Sequence, residues 1–147
     1  MILAGTGHRE LPNYDLFKTK VQETFAWYAP NKVIHGCAAG FDLNFGKIAL
    51  DMNIDVVSAK PWTTHQPREE DAELYNYVLS RSVEVVVVTE SDTYPGPEVY
   101  HIRNQWMVDH CDELIAWWDG RETGGTYAAI QYAIKTGKPW KNIYAED

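Results

Sequence analysis

Residues 113–126 read ELIAWWDGRETGGT, a short apolar run followed by a glycine-rich turn. The run has the length and composition of a β-strand, and a helix-length segment at 126–136 follows the turn. In α/β sheets, ligands bind where a strand leads through such a turn into a helix, because the free N–H groups of the helix attract anions. The stretch therefore predicts an α/β fold with an anion-binding turn.

The same alternation of strand and helix runs along the rest of the chain. Because crossover helices between strands place helices on both faces of a mostly parallel sheet, this order predicts that architecture in one domain, 1–147. The apolar run at 85–88 is typical of a central strand, and 60–67 and 90–97 are predicted loops. The predicted strands are 1–5, 32–36, 54–58, 83–89, 113–118 and a weaker 140–144, and the predicted helices are 14–28, 41–52, 69–79, 99–110 and 126–136.

The charge balance narrows the class of partner. The chain has 13 Lys and Arg against 21 Asp and Glu, a net charge of −8, which opposes binding to a polyanion. Nucleic acid is thus a disfavoured partner. One small phosphate needs only a few donors, so a local basic pocket is compatible with the acidic whole.

Cysteines, histidines and apolar runs indicate no metal, cofactor or membrane association. Cys37 and Cys111 are too few for a disulfide framework or a zinc cluster, and the five histidines lack metal-ligand spacing. The apolar runs are strand-sized, well below the roughly 20 residues of a membrane span. Met1 leads directly into a strand-like run without a basic leader, which predicts a cytoplasmic location.

Three glycine-rich turns are candidate ligand sites, because small residues let a bound group approach the backbone at a helix N-terminus. The first adds the donors of His8 and Arg9, and the third adds the hydroxyl of Thr126. Asp42, in the second, is read either as a helix N-terminal acid or as an acceptor for ribose hydroxyls. The candidate residues in these turns are Gly5, Thr6, Gly7, His8 and Arg9; Gly36, Ala39, Gly40 and Asp42; and Gly124, Gly125 and Thr126.

With these motifs the chain resembles the SLOG superfamily, a Rossmann-like group that includes the LOG phosphoribohydrolases and the SMF/DprA proteins, and within it the YpsA-like branch. The resemblance implies a Rossmann-like sheet, a pocket for nucleotide-derived ligands, Arg103 and Asn104 as contacts to phosphate or ribose, and a homodimer or higher homo-oligomer. It is carried by the segments 6–9, 36–42, 103–109 and 124–126.

The role of Arg103 has two interpretations on the residue chemistry alone. A guanidinium group suits a pair of phosphate oxygens, whereas an exposed Arg103 paired with Asp109 or Glu98 would be a surface ion pair of little consequence.

One position departs from the enzymes of the group. They place a catalytic glutamate three residues after the Gly-Thr turn, where this chain has Ala129. Alanine cannot stabilise or attack an oxocarbenium-like transition state, so an N-glycosidase would need another carboxylate, with Asp42 and Glu98 as candidates. The sequence thus leaves enzymatic activity open.

The aromatic residues also have two readings. Trp62, Tyr94, Tyr100 and Trp106 lie in or beside the predicted ligand-side segments, where a nucleobase could stack. Most of the tryptophans, including Trp27, Trp106, Trp117, Trp118 and Trp140, are expected in the core or at a subunit interface.

These observations favour binding or sensing of a nucleotide-derived small molecule, either a nucleoside monophosphate or an ADP-ribose-like ligand. The alternative is a phosphoribohydrolase or other N-glycosidase acting on nucleoside monophosphates. Single-stranded DNA binding is the least favoured function, because the chain is acidic and has no run of Lys and Arg.

Overall fold

A six-stranded sheet forms the centre of the computed structural model, which describes residues 1–146. The strand order is β4-β3-β2-β1-β5-β6, and every neighbouring pair is parallel. The predicted α/β architecture is confirmed. The strands are β1 (Ile2–Gly7), β2 (Lys32–His35), β3 (Asp55–Trp62), β4 (Glu84–Thr89), β5 (Glu113–Trp117) and β6 (Trp140–Asn142), and the helices are α1 (Tyr14–Tyr28), α2 (Phe41–Asp51), α3 (Ala72–Arg81), α4 (Glu98–Asp109) and α5 (Gly124–Thr136).

Each face of the sheet buries its own apolar layer, because successive strand residues point to opposite faces. In β1, Leu3 joins the core beneath α1, α2 and α3, and Ala4 joins the core beneath α4 and α5. Phe17, Phe25 and Phe45 fill the first layer, while the second is built from smaller side chains. Helices therefore cover both faces, as the alternation predicts.

The first predicted glycine turn is part of a strand, so this prediction is wrong. Gly5 and Gly7 pair with Ile115 and Trp117 of β5. A Cβ atom at Gly5 would lie 2.8 Å from the ring of Phe41, and one at Gly7 would collide with the same ring. Both glycines therefore let α2 pack directly on β1.

The predicted central position of the valine run is also wrong. Strand β4 lies at the edge of the sheet and pairs only with β3 among the described residues. Val86 and Val88 pack on the core beneath α4, whereas Val85 is 42% exposed because it points to the opposite face.

Two boundaries differ from the prediction by three residues or more. Strand β3 continues through Pro61 to Trp62, since Lys60 and Trp62 pair with Val87 and Thr89 after β2 has ended. The third helix begins later, after a single 3-10 turn at Glu69–Asp71. Among the described residues, no helix has both the length and the apolar character needed to cross a membrane.

Candidate functional site

A cavity of about 780 Å³ opens at the carboxyl ends of the strands, above β1, β2 and β5. From β1 the chain adds β2, β3 and β4 on one side of the sheet, and then β5 and β6 on the other. In open α/β sheets, ligands bind in the crevice where the strand order reverses in this way. The cavity occupies that crevice.

Most of the predicted site residues meet in this cavity. Gly36 and Gly40 lie directly behind its wall, in contact with Arg103 and Arg9. Glu98, one of the two candidate catalytic carboxylates, is exposed and does not line it. The predicted residues that line the cavity are Gly5, Thr6, Gly7, His8, Arg9, Ala39, Asp42, Arg103, Asn104, Gly124, Gly125 and Thr126.

The turn between β2 and α2 needs glycine at two positions. A Cβ at Gly36 would lie 2.9 Å from three atoms of the Arg103 side chain, so glycine makes room for the guanidinium group. Gly40 has φ +76°, and a Cβ there would collide with the backbone carbonyl of Arg9. The Phe41 N–H donates to the His8 carbonyl at 3.1 Å, which fixes the first two loops together.

Arg103 lies at the base of the cavity and is 7% exposed. Its Nη1 donates to the Gly36 carbonyl, and its Nε donates to Asn104 Oδ1 at 3.0 Å. No ion pair joins it to a carboxylate among residues 1–146, which excludes the surface pairing with Asp109 or Glu98. The Asp42 carboxyl is near enough to be influenced by this charge but does not pair with it, so the guanidinium group can still pair with an anion in the cavity.

The N-terminus of α5 faces the same cavity. Gly124 adopts φ +90°, and the N-cap residue Thr123 makes no side-chain hydrogen bond to the first turn. Asn104 Nδ2 donates to the Gly125 carbonyl at 3.4 Å, which ties this turn to α4. The first N–H groups of α5 and the Thr126 hydroxyl therefore lie beside Arg103 and Asn104, an arrangement suited to phosphate.

Asp42 lies in the cavity wall, 7% exposed. Burial raises the pKa of its carboxyl to about 6, although the nearby Arg103 charge and backbone N–H groups act in the opposite direction. The Ala38 N–H donates to its Oδ2 at 3.2 Å. The carboxylate thus stabilises the turn and also presents a proton-exchanging group to the cavity.

The positions of the other candidate catalytic groups narrow the enzymatic alternative. Ala129 is 2% exposed and packs in the core beneath α5. With Glu98 outside the cavity, Asp42 is the remaining predicted candidate. Among the described residues, no three His, Cys, Asp or Glu side chains are grouped as metal ligands.

The cavity is richer in cations than the chain as a whole. His8, beside the arginines, accepts a hydrogen bond at Nε2 from the Asp119 N–H at 3.0 Å, which links the loops after β1 and β5. Burial lowers the pKa of His8, so this imidazole is neutral at neutral pH. The lining includes four arginines, Arg9, Arg68, Arg103 and Arg121, against three acids, Glu10, Asp42 and Asp71.

A series of buried, hydrogen-bonded polar side chains beneath the cavity was not predicted from the sequence. His35 Nδ1 accepts from the Cys37 N–H at 3.1 Å, so Nε2 carries the proton toward Ser58 Oγ at 2.7 Å. Ser58 continues to Ser82 at 2.7 Å. These hydrogen bonds hold Cys37 in its left-handed conformation, φ +69°, directly after Gly36. The available signal was a histidine at the end of an otherwise apolar strand.

Acidification is expected to destabilise the fold through these histidines. Burial lowers the pKa of His35 from 6.5 to about 3 and that of His65 to about 4. Between these values and 6.5, the two imidazoles are protonated in the unfolded chain and neutral in the folded chain. Asp42 acts oppositely, because its raised pKa lets the folded chain hold a proton that the unfolded chain releases. The histidines, His8 included, together outweigh the one carboxyl, so stability falls as pH falls from about 6 to about 4.

Urea unfolding across that pH window measures this slope. In His35→Gln, the most deeply buried of these histidines is gone, and the loss of stability with falling pH is expected to be clearly smaller. An unchanged slope in the variant would show that His35 does not carry the effect.

Not all of the predicted ligand-side aromatic residues reach the cavity. Trp62 and Tyr100 line it, and Tyr94 packs on Trp62. Trp106 instead stacks on His110, with ring centroids 4.1 Å apart, towards the other end of α4. Trp27, expected in the core or at an interface, is 81% exposed on α1.

Comparison with known proteins identifies relatives of the chain. No protein-family model matches it. A UPF0398 protein of Bacillus cereus (strain B4264) is 24% identical over 127 residues, which cover 82% of this chain and 66% of that protein. The homologues of this chain are UPF0398 proteins. These are YpsA-like proteins, and the chain spans just under two thirds of the length of this UPF0398 relative.

Solved structures share the fold of this UPF0398 homologue. DNA processing protein A (DprA) of Helicobacter pylori, described with a single-stranded DNA binding mode, has a TM-score of 0.75 at 18% identity, over 97% of this chain and 64% of that one. DprA of Streptococcus pneumoniae has a TM-score of 0.72 at 15% identity, over 95% of this chain and 49% of that one. Relatives and fold together confirm the resemblance to the SLOG superfamily.

Proposed function

We propose that this chain binds a nucleotide-derived small molecule, a nucleoside monophosphate or an ADP-ribose-like ligand, in the cavity at the carboxyl ends of the strands. The observation that carries the proposal is Arg103, a buried guanidinium group with no carboxylate partner among the described residues. The phosphate binds between Arg103 and the N–H groups of Gly125 and Thr126, where the α5 dipole adds to the attraction.

An N-glycosidase is the second candidate, and Asp42 is the observation that favours it. Its carboxyl lies in the cavity with a pKa of about 6, so it is mostly ionised at neutral pH and can still exchange a proton. Against this, Asp42 also holds the β2–α2 turn through Ala38. We therefore place binding before turnover.

Incubation with nucleoside monophosphates and ADP-ribose separates the two candidates. Saturable binding with no free base released supports a binding or sensing protein. Release of free base, abolished in Asp42→Asn, would establish the glycosidase instead. Absence of binding to any of these ligands would refute both.

Single-stranded DNA is the less favoured ligand, although the H. pylori DprA is described with this binding mode. The net charge of −8 opposes tracking of a polyanion along the surface, and four of the five arginines line the cavity.

We also propose that the chain self-associates, although two of the tryptophans expected in the core or at an interface are not available for it. Trp117 is in the core, 4% exposed, and Trp140 packs on Trp118, so neither forms an open apolar patch. The exposed apolar side chains include Trp27, Val83, Val85, Ile102 and Ile134. Light scattering at micromolar concentration is expected to give a dimer or larger species, and a monomeric mass would refute the proposal.

A further inference from the structure

One side of the cavity is formed by a group of aromatic rings, which we call the aromatic wall: Trp62, His65 and Tyr100. The Trp62 ring centroid lies 4.8 Å from that of His65, 5.2 Å from that of Tyr94 and 6.0 Å from that of Tyr100. The wall residues come from three separate segments, the end of β3, the loop that follows it and the first turn of α4, and Tyr94 packs on Trp62 from the loop before α4. The loops after β3 and β4 are therefore joined through their rings.

The aromatic wall lies next to the arginine assigned to phosphate. Tyr100 and Arg103 are three residues apart on α4, which places them on one side of the helix about 4.5 Å apart along its axis. The Arg103 guanidinium carbon is 5.7 Å from the centre of the Tyr100 ring. Trp62, His65 and Tyr100 line the same cavity as Gly125 and Thr126. A ligand with its phosphate at Arg103 thus reaches the rings without leaving the cavity.

The aromatic wall presents neutral rings to a ligand at neutral pH. His65 Nδ1 is 3.2 Å from the Tyr75 hydroxyl, which in turn lies 3.2 Å from the His65 carbonyl oxygen, so this imidazole is held in place. Burial lowers the pKa of His65 to about 4, which keeps it neutral at neutral pH.

We propose that the aromatic wall is a nucleobase subsite, so that the ligand is an intact nucleotide rather than a sugar phosphate or free phosphate. This inference rests on the proposed function, because it assumes that phosphate binds at Arg103. A flat base gains stacking and apolar contact from aromatic rings, whereas a sugar phosphate has no group that uses them. The wall therefore supplies the difference in affinity between the two classes of ligand.

Calorimetric titration with AMP and with ribose 5-phosphate tests the subsite, because the two share the phosphate and the sugar but differ in the base. The intact chain is expected to bind AMP about 5- to 150-fold more tightly than ribose 5-phosphate, the range that base–aromatic stacking provides. Trp62→Leu is expected to remove most of this difference by weakening AMP alone. Trp62→Phe keeps a ring and should restore part of the AMP affinity.

Two further variants keep the test independent of folding effects. Tyr100→Leu changes a second ring of the wall and is expected to weaken AMP alone, while Tyr77→Leu changes a partly exposed ring on α3, outside the cavity, and is expected to alter neither ligand. Equal affinity of the intact chain for AMP and ribose 5-phosphate would overturn the base subsite and leave the proposed function standing. Tighter AMP binding that survives both Trp62→Leu and Tyr100→Leu would also overturn it. Binding of neither ligand would remove the proposed function itself.

Discussion

Replacing Arg103 by alanine is expected to weaken AMP binding about 30- to 1000-fold, a loss of roughly 2–4 kcal/mol, because hydrogen bonds to charged groups contribute roughly 1.5–3 kcal/mol each and are not additive. The guanidinium group sits at the base of the cavity without an ionic partner among the described residues. Arg103→Lys should recover little, since a point charge cannot reproduce the planar fork. Calorimetric titration of the three forms measures this loss.

Arg103 also has a structural role that its sequence position did not reveal. It donates to the Gly36 carbonyl and to Asn104, so its loss leaves buried acceptors unsatisfied. Thermal melts must therefore accompany the titrations. Arg81→Ala is the matched control, because Arg81 is exposed on α3 and packs over the Tyr77 ring, outside the cavity. AMP affinity unchanged in a folded Arg103→Ala variant would exclude the phosphate contact.

The largest expected effect on stability comes from Phe41→Ala, at about 3–5 kcal/mol of unfolding free energy. Phe41 is fully buried at the start of α2. Its ring stacks on Phe45 with centroids 5.0 Å apart, meets Phe17 edge to face at 5.7 Å, and covers Gly7. Removal of the ring leaves a cavity between α2 and β1. Urea unfolding measures the cost.

A double-mutant cycle tests whether glycine in β1 is required by this ring. Gly7→Ala alone is expected to cost about 1–3 kcal/mol, because its new Cβ would collide with Phe41. In the Phe41→Ala background the same change should cost less, since the ring atoms are gone and only the Cβ at position 41 still lies 2.7 Å from the new methyl group. Additive costs in the double variant would mean that Gly7 is needed for another reason, such as close approach of a ligand.

The sequence predicted the layers of the fold because its local signals agree with one another. Apolar runs of strand length alternate with helical periodicity, and the Gly124-Gly125-Thr126 turn marks a strand-to-helix junction directly. Two misplacements have physical reasons. Gly5 and Gly7 look like a turn, but they are strand residues that admit Phe41. The run Val85–Val88 looks buried on both sides, but only one of its faces is covered.

The deeper parts of the site depend on contacts between distant segments. Arg103 meets Gly36 across 67 positions, and His35 reaches Ser82 through Ser58, contacts that neither periodicity nor spacing reveals. The aromatic wall likewise joins residues that are separate in sequence. Chemistry-bearing residues could therefore be named from the chain, whereas the burial of Arg103 and its lack of an ion pair required the structure.

A crystal structure of the chain grown with AMP tests the central claim most directly. We predict density for the phosphate between the Arg103 guanidinium group and the N–H groups of Gly125 and Thr126, at the N-terminus of α5. A phosphate bound on another surface, or AMP held in the cavity with its phosphate away from Arg103, would contradict this account.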